Sequence, residues 1–239
     1  MRPPRFLLRE LTVRELLSSF PRGRFLEVGY GAGYLLETLA NLGFEGVGFD
    51  PSPDAQRAAA EFLSERGVRG VTLVDRLPQE ERFDLVFLME VIGYLDDPVL
   101  ELSRYRQLLN PGGKLILSFN GLNAVYAHEV QADQKSFSPA QIREILARAG
   151  FGAPTFWNYG FPLVNLMRPA LNAYHRLRAR RGDEARAEAG VTGLRHRAPL
   201  VRVVSQLLNE HTIRPFALVQ RAFRHTELGN GFVVACSAE

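Results

Sequence analysis

Residues 26–33 read Leu-Glu-Val-Gly-Tyr-Gly-Ala-Gly, and no other stretch limits the fold as much. An apolar strand (Phe25, Leu26, Val28) runs into glycines at alternate positions, Gly29, Gly31 and Gly33, and a helix-forming run from Tyr34 to Leu39 follows at once. Glycines set this closely let the backbone turn tightly and bring its N–H groups against a ligand with no Cβ in the way. A strand, a glycine turn and a helix in that order make a nucleotide-type site at the edge of a parallel sheet.

The spacing separates cofactor classes. A dinucleotide fingerprint, G-x-G-x-x-G, needs its third glycine at position 34, where this chain has Tyr34. Glu27 stands where a pyrophosphate would approach, and two anions there repel. An acid suits a cationic group instead, an amino group or a sulfonium. The run resembles the first motif of class I S-adenosylmethionine-dependent methyltransferases, small-molecule type. A nicotinamide oxidoreductase is the competing reading that the glycine spacing and Glu27 oppose.

The resemblance extends beyond the glycines. Family members often read "FDLV…EVLEHL", then "DP", then "LKPGG". The matching runs here are Phe83–Leu95, Asp97-Pro98 and Leu109-Asn110-Pro111-Gly112-Gly113. Lys135–Pro139 and Ala149-Gly150-Phe151 match a later family stretch, so the likeness covers about residues 23–160. One departure stands out: the usual Glu-His pair is Gly93-Tyr94 here. That puts in doubt any base at position 94, and Tyr94 is expected to pack or to contact the cofactor.

The resemblance implies a set of cofactor-binding positions: Glu27, Gly29, Tyr30, Gly31, Gly33, Asp50, Pro51, Asp75, Arg76, Leu77, Met89 and Glu90. Glu27 and the glycines would hold the methionyl end. Asp50 ends the second strand, 21 residues after Gly29, and its carboxylate can accept both ribose hydroxyls. The alternative for Asp50 is an acid complementing a helix N-terminus. Asp75 would meet the adenine amino group, with Arg76 and Leu77 closing over the ring, or else it is a plain turn aspartate. In-line methyl transfer asks mainly for proximity and alignment, and a hydroxyl acceptor adds the need for a general base. His128 is the candidate base, with Glu129 beside it. No acidic cluster suggests a divalent metal, so none is expected.

Strands are expected at about 24–28, 46–49, 71–74, 83–88, 114–119, 151–159 and 231–237. Helices are expected between them. The alternation implies an α/β, Rossmann-like, doubly wound and mostly parallel seven-stranded sheet, with an α-helical insertion before the last strand. The expected organisation is a helical lead-in at 1–22, a cofactor-binding core at 23–160, a helical insertion or lid at 161–226, and the last strand of the sheet at 227–239. Within the insertion, Phe161, Val164, Met167, Leu171, Tyr174 and Leu177 recur at helical spacing. So do Val201, Val204, Leu207 and Leu208, and later Ile213, Phe216, Ala217, Gln220 and Phe223. A polar linker separates them at 178–197.

The 239 residues suit one elaborated domain, and 46% hydrophobic with 23% charged residues is ordinary for a globular chain. The net charge of +3 conceals an asymmetry. Residues 168–224 hold twelve arginines against four acids, leaving 17 basic and 22 acidic residues elsewhere. That basic, amphipathic segment can close over a hydrophobic acceptor, lie against an anionic membrane surface, or meet phosphates. A lid or cap is favoured. No recognised nucleic-acid-binding motif is present, so the expected partner is a small-molecule acceptor. An RNA methyltransferase and a non-catalytic module that binds S-adenosylmethionine or S-adenosylhomocysteine remain as alternatives. One cysteine, no stretch ordered like a signal peptide and no long apolar run together lead to an expected cytoplasmic location.

Overall fold

A computed structural model describes residues 4–122, 135–166 and 210–238. Seven strands form one sheet: β1 (Arg24–Val28), β2 (Glu45–Phe49), β3 (Val71–Val74), β4 (Phe83–Met89), β5 (Leu109–Asn120), β6 (Thr155–Tyr159) and β7 (Gly231–Ser237). Their order is β3-β2-β1-β4-β5-β7-β6. Neighbours from β3 through to β5 pair in parallel, and β7 runs antiparallel to both β5 and β6. The described helices are α1 (Pro4–Leu17), α2 (Tyr34–Asn41), α3 (Pro53–Glu65), α4 (Pro98–Gln107), α5 (Pro139–Arg148) and α6 (Glu210–Ala222). The seven-stranded, mostly parallel sheet is the one expected from the sequence.

Local chemistry sets where the helices begin. Proline fixes φ at the first helical position, and the residue before it supplies a side-chain acceptor for an orphan N–H. Ser52, Asp97 and Ser138 each do this, accepting from the backbone N–H of Ala55, Leu100 and Gln141, with Pro53, Pro98 and Pro139 next in line. Gln141 returns the bond to Ser138, completing a capping box.

The sheet is covered on both faces, as the unbroken apolar run of β4 requires. On one face Leu26, Val28, Val86, Leu88, Leu115 and Leu117 pack with residues of α4 and α5, Leu102, Tyr105, Ile142 and Leu146. On the other, Phe25, Leu85, Phe87 and Ile116 pack with Val13, Leu16 and Leu17 of α1, Leu36 and Leu39 of α2, and Ala59 and Leu63 of α3. Helix α1 is therefore part of the core. Leu7 and Leu8 also join Val164 and Ile213 in a smaller cluster that ties α1 to α6.

Two strand limits differ from expectation. β5 begins at Leu109, not Lys114, because Leu109 pairs with Phe83 across a register shift that the Pro111-Gly112-Gly113 turn takes up. β6 begins at Thr155, since Phe151 makes only an isolated bridge to Ala238. β6 ends with Tyr159 opposite Gly231, the first residue of β7. Of the helical patterns expected at 161–226, α6 carries the last. Ile213 and Gln220 are buried, and Phe223 meets Phe161 edge to face at 4.9 Å. Phe216 faces outward. The patterns at 167–177 and 201–208 and the linker at 178–197 lie outside the described residues. Among the described residues no helix is long and apolar enough to cross a membrane.

Candidate active site

The strand order reverses between β1 and β4, and α/β sheets of this kind bind ligands in the crevice beyond the carboxyl ends of the strands at that point. Gly29–Gly33 leave β1 there, Asp50 leaves β2, Asp75 leaves β3 and Glu90 leaves β4. All four segments therefore reach one edge of the sheet.

Gly29 has φ +72° and Gly31 φ +55°, a region that side chains with a Cβ rarely enter. A Cβ on Gly29 would come within 2.5 Å of Val91 Cγ2, so the loop after β1 packs directly on the turn after β4. A Cβ on Gly31 would meet nothing within 4 Å, so the crevice is open above it. The loop is laced to β2 by backbone: the Gly29 N–H donates to Phe49 O at 2.7 Å. The Gly31 N–H donates to Asp50 Oδ2 at 3.0 Å, and the Ser52 N–H to Oδ1 at 2.9 Å. Asp50 is only 7% exposed, yet each carboxylate oxygen retains acceptor capacity. The side chain of Gln56 donates to the Asp50 carbonyl at 2.8 Å, which fixes the turn from below.

Glu27 shares the sheet face of Phe25 and is 2% exposed. Its Oε2 has no hydrogen-bond partner, and neither has the buried hydroxyl of Tyr30. Burial pushes the Glu27 carboxyl up to about 8, Arg9 pulling it partly back and Asp50 pushing it further. Burial likewise pushes the Tyr30 phenol to about 12, with Asp50 and Glu27 adding to the effect. Buried polar atoms without partners are uncommon in folded proteins. Two of them beside an open glycine turn fit a ligand that brings hydrogen-bond donors and positive charge.

Glu90 has a different setting. It is a non-glycine residue at φ +63°, held there by its N–H, which meets both the carbonyl and the hydroxyl of Ser118 at 3.0 Å. Its Oε1 accepts from the Tyr159 hydroxyl at 2.9 Å and lies 3.1 Å from Arg9 and 3.3 Å from Arg5. Arg5 also donates to Tyr159 Oη at 3.0 Å and to Asn120 Oδ1. Burial works to raise the Glu90 carboxyl, but Arg5 and Arg9, helped by the Tyr159 hydrogen bond, hold it below the ordinary glutamate range. Burial pushes the Tyr159 phenol up to about 12.

The remaining expected positions separate by exposure. Met89 is buried in the core with Phe87 and Ile116. Pro51, Asp75 and Arg76 are exposed along the edge, and Leu77 leans on the core. Tyr94 is exposed on a short 3-10 turn (Ile92–Tyr94) and not packed away. His128 and Glu129 lie outside the described residues. Arg5, Arg9 and Tyr159 were not among the expected site residues. The available signal was the four-residue spacing of Arg5 and Arg9, which sets both on one helix face.

Residues 4–153 match the model of a family described as a methyltransferase domain. The chain belongs to the class I S-adenosylmethionine-dependent methyltransferase family. Among its relatives is the ubiquinone biosynthesis O-methyltransferase of Bradyrhizobium sp. (strain ORS 278), 37% identical over 99 residues, which are 40% of this chain and 39% of that protein. The corresponding enzyme of Cereibacter sphaeroides (strain ATCC 17025) is 37% identical over 40% of each. The chain thus spans about two fifths of the length of the curated relatives it matches. Its fold is similar to a Thermotoga maritima S-adenosylmethionine-dependent methyltransferase, described as a possible histamine N-methyltransferase (TM-score 0.59, 17% identity, 97% of this chain and 90% of that one). Phosphoethanolamine N-methyltransferase 2 of Haemonchus contortus, in complex with S-adenosyl-L-methionine, is similar at TM-score 0.58 and 20% identity over 96% of this chain and 52% of that one. Among the described residues no group of three or more His, Cys, Asp or Glu side chains could hold a metal ion.

Proposed function

We propose that this methyltransferase binds S-adenosylmethionine in the crevice between β1 and β4 and methylates a small or lipophilic acceptor, needing no metal. The observation that carries the reading is the unpartnered Glu27 Oε2, buried beside the open turn at Gly31 and next to Asp50. Glu27 would receive the methionyl ammonium, Asp50 the ribose hydroxyls and Asp75 the adenine amino group. Arg9, whose charge acts on both Glu27 and Glu90, is the cation on this edge best placed to meet the methionyl carboxylate.

When bound, the cofactor supplies a methyl carbon activated by the adjoining sulfonium charge. The chain's own contribution is alignment: rigid backbone at Gly29–Gly33, and α1 held over the carboxyl edge by its arginines, exclude water and fix the donor. For a hydroxyl acceptor, His128 would take the proton. The relatives named as O-methyltransferases of ubiquinone biosynthesis support an oxygen acceptor on a lipophilic molecule. Residues 161–226 would cover that acceptor and touch a membrane surface only peripherally, in a cytoplasmic protein.

Calorimetric titration with S-adenosylhomocysteine tests the cofactor assignment. The wild type is expected to bind, and Asp50→Ala to bind at least about 100-fold more weakly, since it removes a carboxylate serving two hydroxyls and two backbone N–H groups. Unchanged binding by Asp50→Ala would sink the assignment. The Gly93-Tyr94 pair in place of Glu-His favours one second reading, a module that binds the cofactor without transferring the methyl group. Turnover with any acceptor excludes it.

A further inference from the structure

Glu27 and Asp50 are two carboxylates facing one crevice, and the structure treats them unequally. Asp50 takes a backbone N–H on each oxygen. Glu27, at 2% exposure, has one oxygen with no donor at all. Its register neighbours on the adjoining strands, Gly48 in β2 and Phe87 in β4, bring no charge. The groups that do act on it are Arg9 from α1, Asp50 after β2 and Tyr30 in the glycine turn. Arg9 is shared, because its guanidinium also pairs with Glu90 at 3.1 Å. A carboxylate so placed, with a second carboxylate beside it and half a counter-charge, is costly to ionise.

We propose that Glu27 carries a proton while the crevice is empty and releases it when a cationic amino group enters, so that cofactor loading consumes the proton's place. This deepens the cofactor reading and rests on it. The balance is simple: the O–H bond of Glu27 breaks, its proton passes to the buffer, and the carboxylate formed accepts from the ligand's ammonium. No oxidant or second reactant is involved.

The sign of the pH effect follows. The empty-site carboxyl is raised to about 8, so at pH 7 about nine-tenths of the molecules hold the proton and must give it up on binding. Affinity then rises about tenfold per pH unit between pH 6 and 7 and levels off above about 8.

The test is calorimetry of the full chain with S-adenosylhomocysteine at pH 7, in two buffers of different ionisation enthalpy, together with dissociation constants from pH 6 to 9. Release of close to one proton, with the tenfold slope, is the expected result. Glu27→Gln should bind with no proton exchange and a flat profile, which excludes Asp50 as the source. If Glu27→Gln fails to fold, wild-type infrared difference spectra decide the matter: a protonated-carboxyl band should disappear on adding S-adenosylhomocysteine. Binding whose heat does not depend on buffer and whose affinity does not depend on pH would overturn the inference and leave the cofactor assignment standing. Absence of binding throughout pH 6 to 9 would overturn the cofactor assignment itself.

Discussion

The two halves of the carboxyl edge are built from different materials. On the β3-β2-β1 side, the glycine turn, Asp50 and Ser52 are joined by backbone N–H groups, and the residues involved lie within 24 positions of one another, 29 to 52. On the β4-β5-β7-β6 side, Glu90, Asn120 and Tyr159 are joined to Arg5 and Arg9 by side chains drawn from four distant points of the chain. Backbone amides have no rotamers to lose and need no partner from afar, which suits a surface that must keep one fixed shape. Side-chain networks tie remote elements together and fix α1 over the edge, at the risk that losing one member strands the others.

That contrast can be broken most forcefully at Glu90. Glu90→Ala leaves two partly buried guanidinium groups without their shared carboxylate. A loss of about 3 kcal/mol is expected, at the low end for a buried pair because these side chains keep 12 to 17% exposure. Thermal unfolding should fall by about 6–12 °C. The pH dependence should change as well. The folded carboxyl lies below its ordinary value, so its stabilisation is present above the ordinary glutamate range and is lost as pH falls through the folded value. Glu90→Ala should therefore show a shallower acid limb, and an unchanged one would mean that the ion pairs contribute nothing.

The backbone-built half should respond to a single added methyl. Gly29→Ala forces an L-residue to φ +72° and sets its Cβ 2.5 Å from Val91 Cγ2. A loss of about 2 kcal/mol is expected, read as a lower unfolding midpoint in urea with an unchanged slope. The mildest change is Tyr159→Phe, which removes one donor to Glu90 and one acceptor from Arg5 while Asn120 still serves Arg5. It should cost about 1 kcal/mol. A cost as large as that of Glu90→Ala would show that the phenol, and not the carboxylate, organises the cluster.

The same contrast accounts for what could be read from the sequence. The glycine turn, Asp50 and the apolar run of β4 are contiguous patterns whose geometry is local, and the structure places them on one edge as expected. The start of β5 was displaced because Leu109 belongs to a pairing with Phe83 that only the folded sheet creates. The Glu90 cluster was illegible for a related reason: Arg5 and Tyr159 are 154 positions apart, and no periodicity links them. Glu27 suits a cation by its charge alone, but its missing partner and its raised carboxyl depend on burial in the folded sheet, which strand and turn patterns do not report.

The pairing of Tyr159 with Gly231 has a further consequence. The chain leaves the sheet at one residue and returns at the residue beside it, so residues 160–230 form an excursion whose two ends are already pinned together. Lengthening such an excursion adds only about 0.6 kcal/mol of closure entropy for each doubling, and it shifts no strand. The glycine-turn half of the molecule is thus insulated only from changes in those parts of the stretch that do not pack on α1, since Val164 and Ile213 meet Leu7 and Leu8 and Gln220 donates to Thr12. Descendants of this chain could lengthen the stretch between Val164 and Ile213 while the sheet, and the turn that begins at Gly29, go on unaltered.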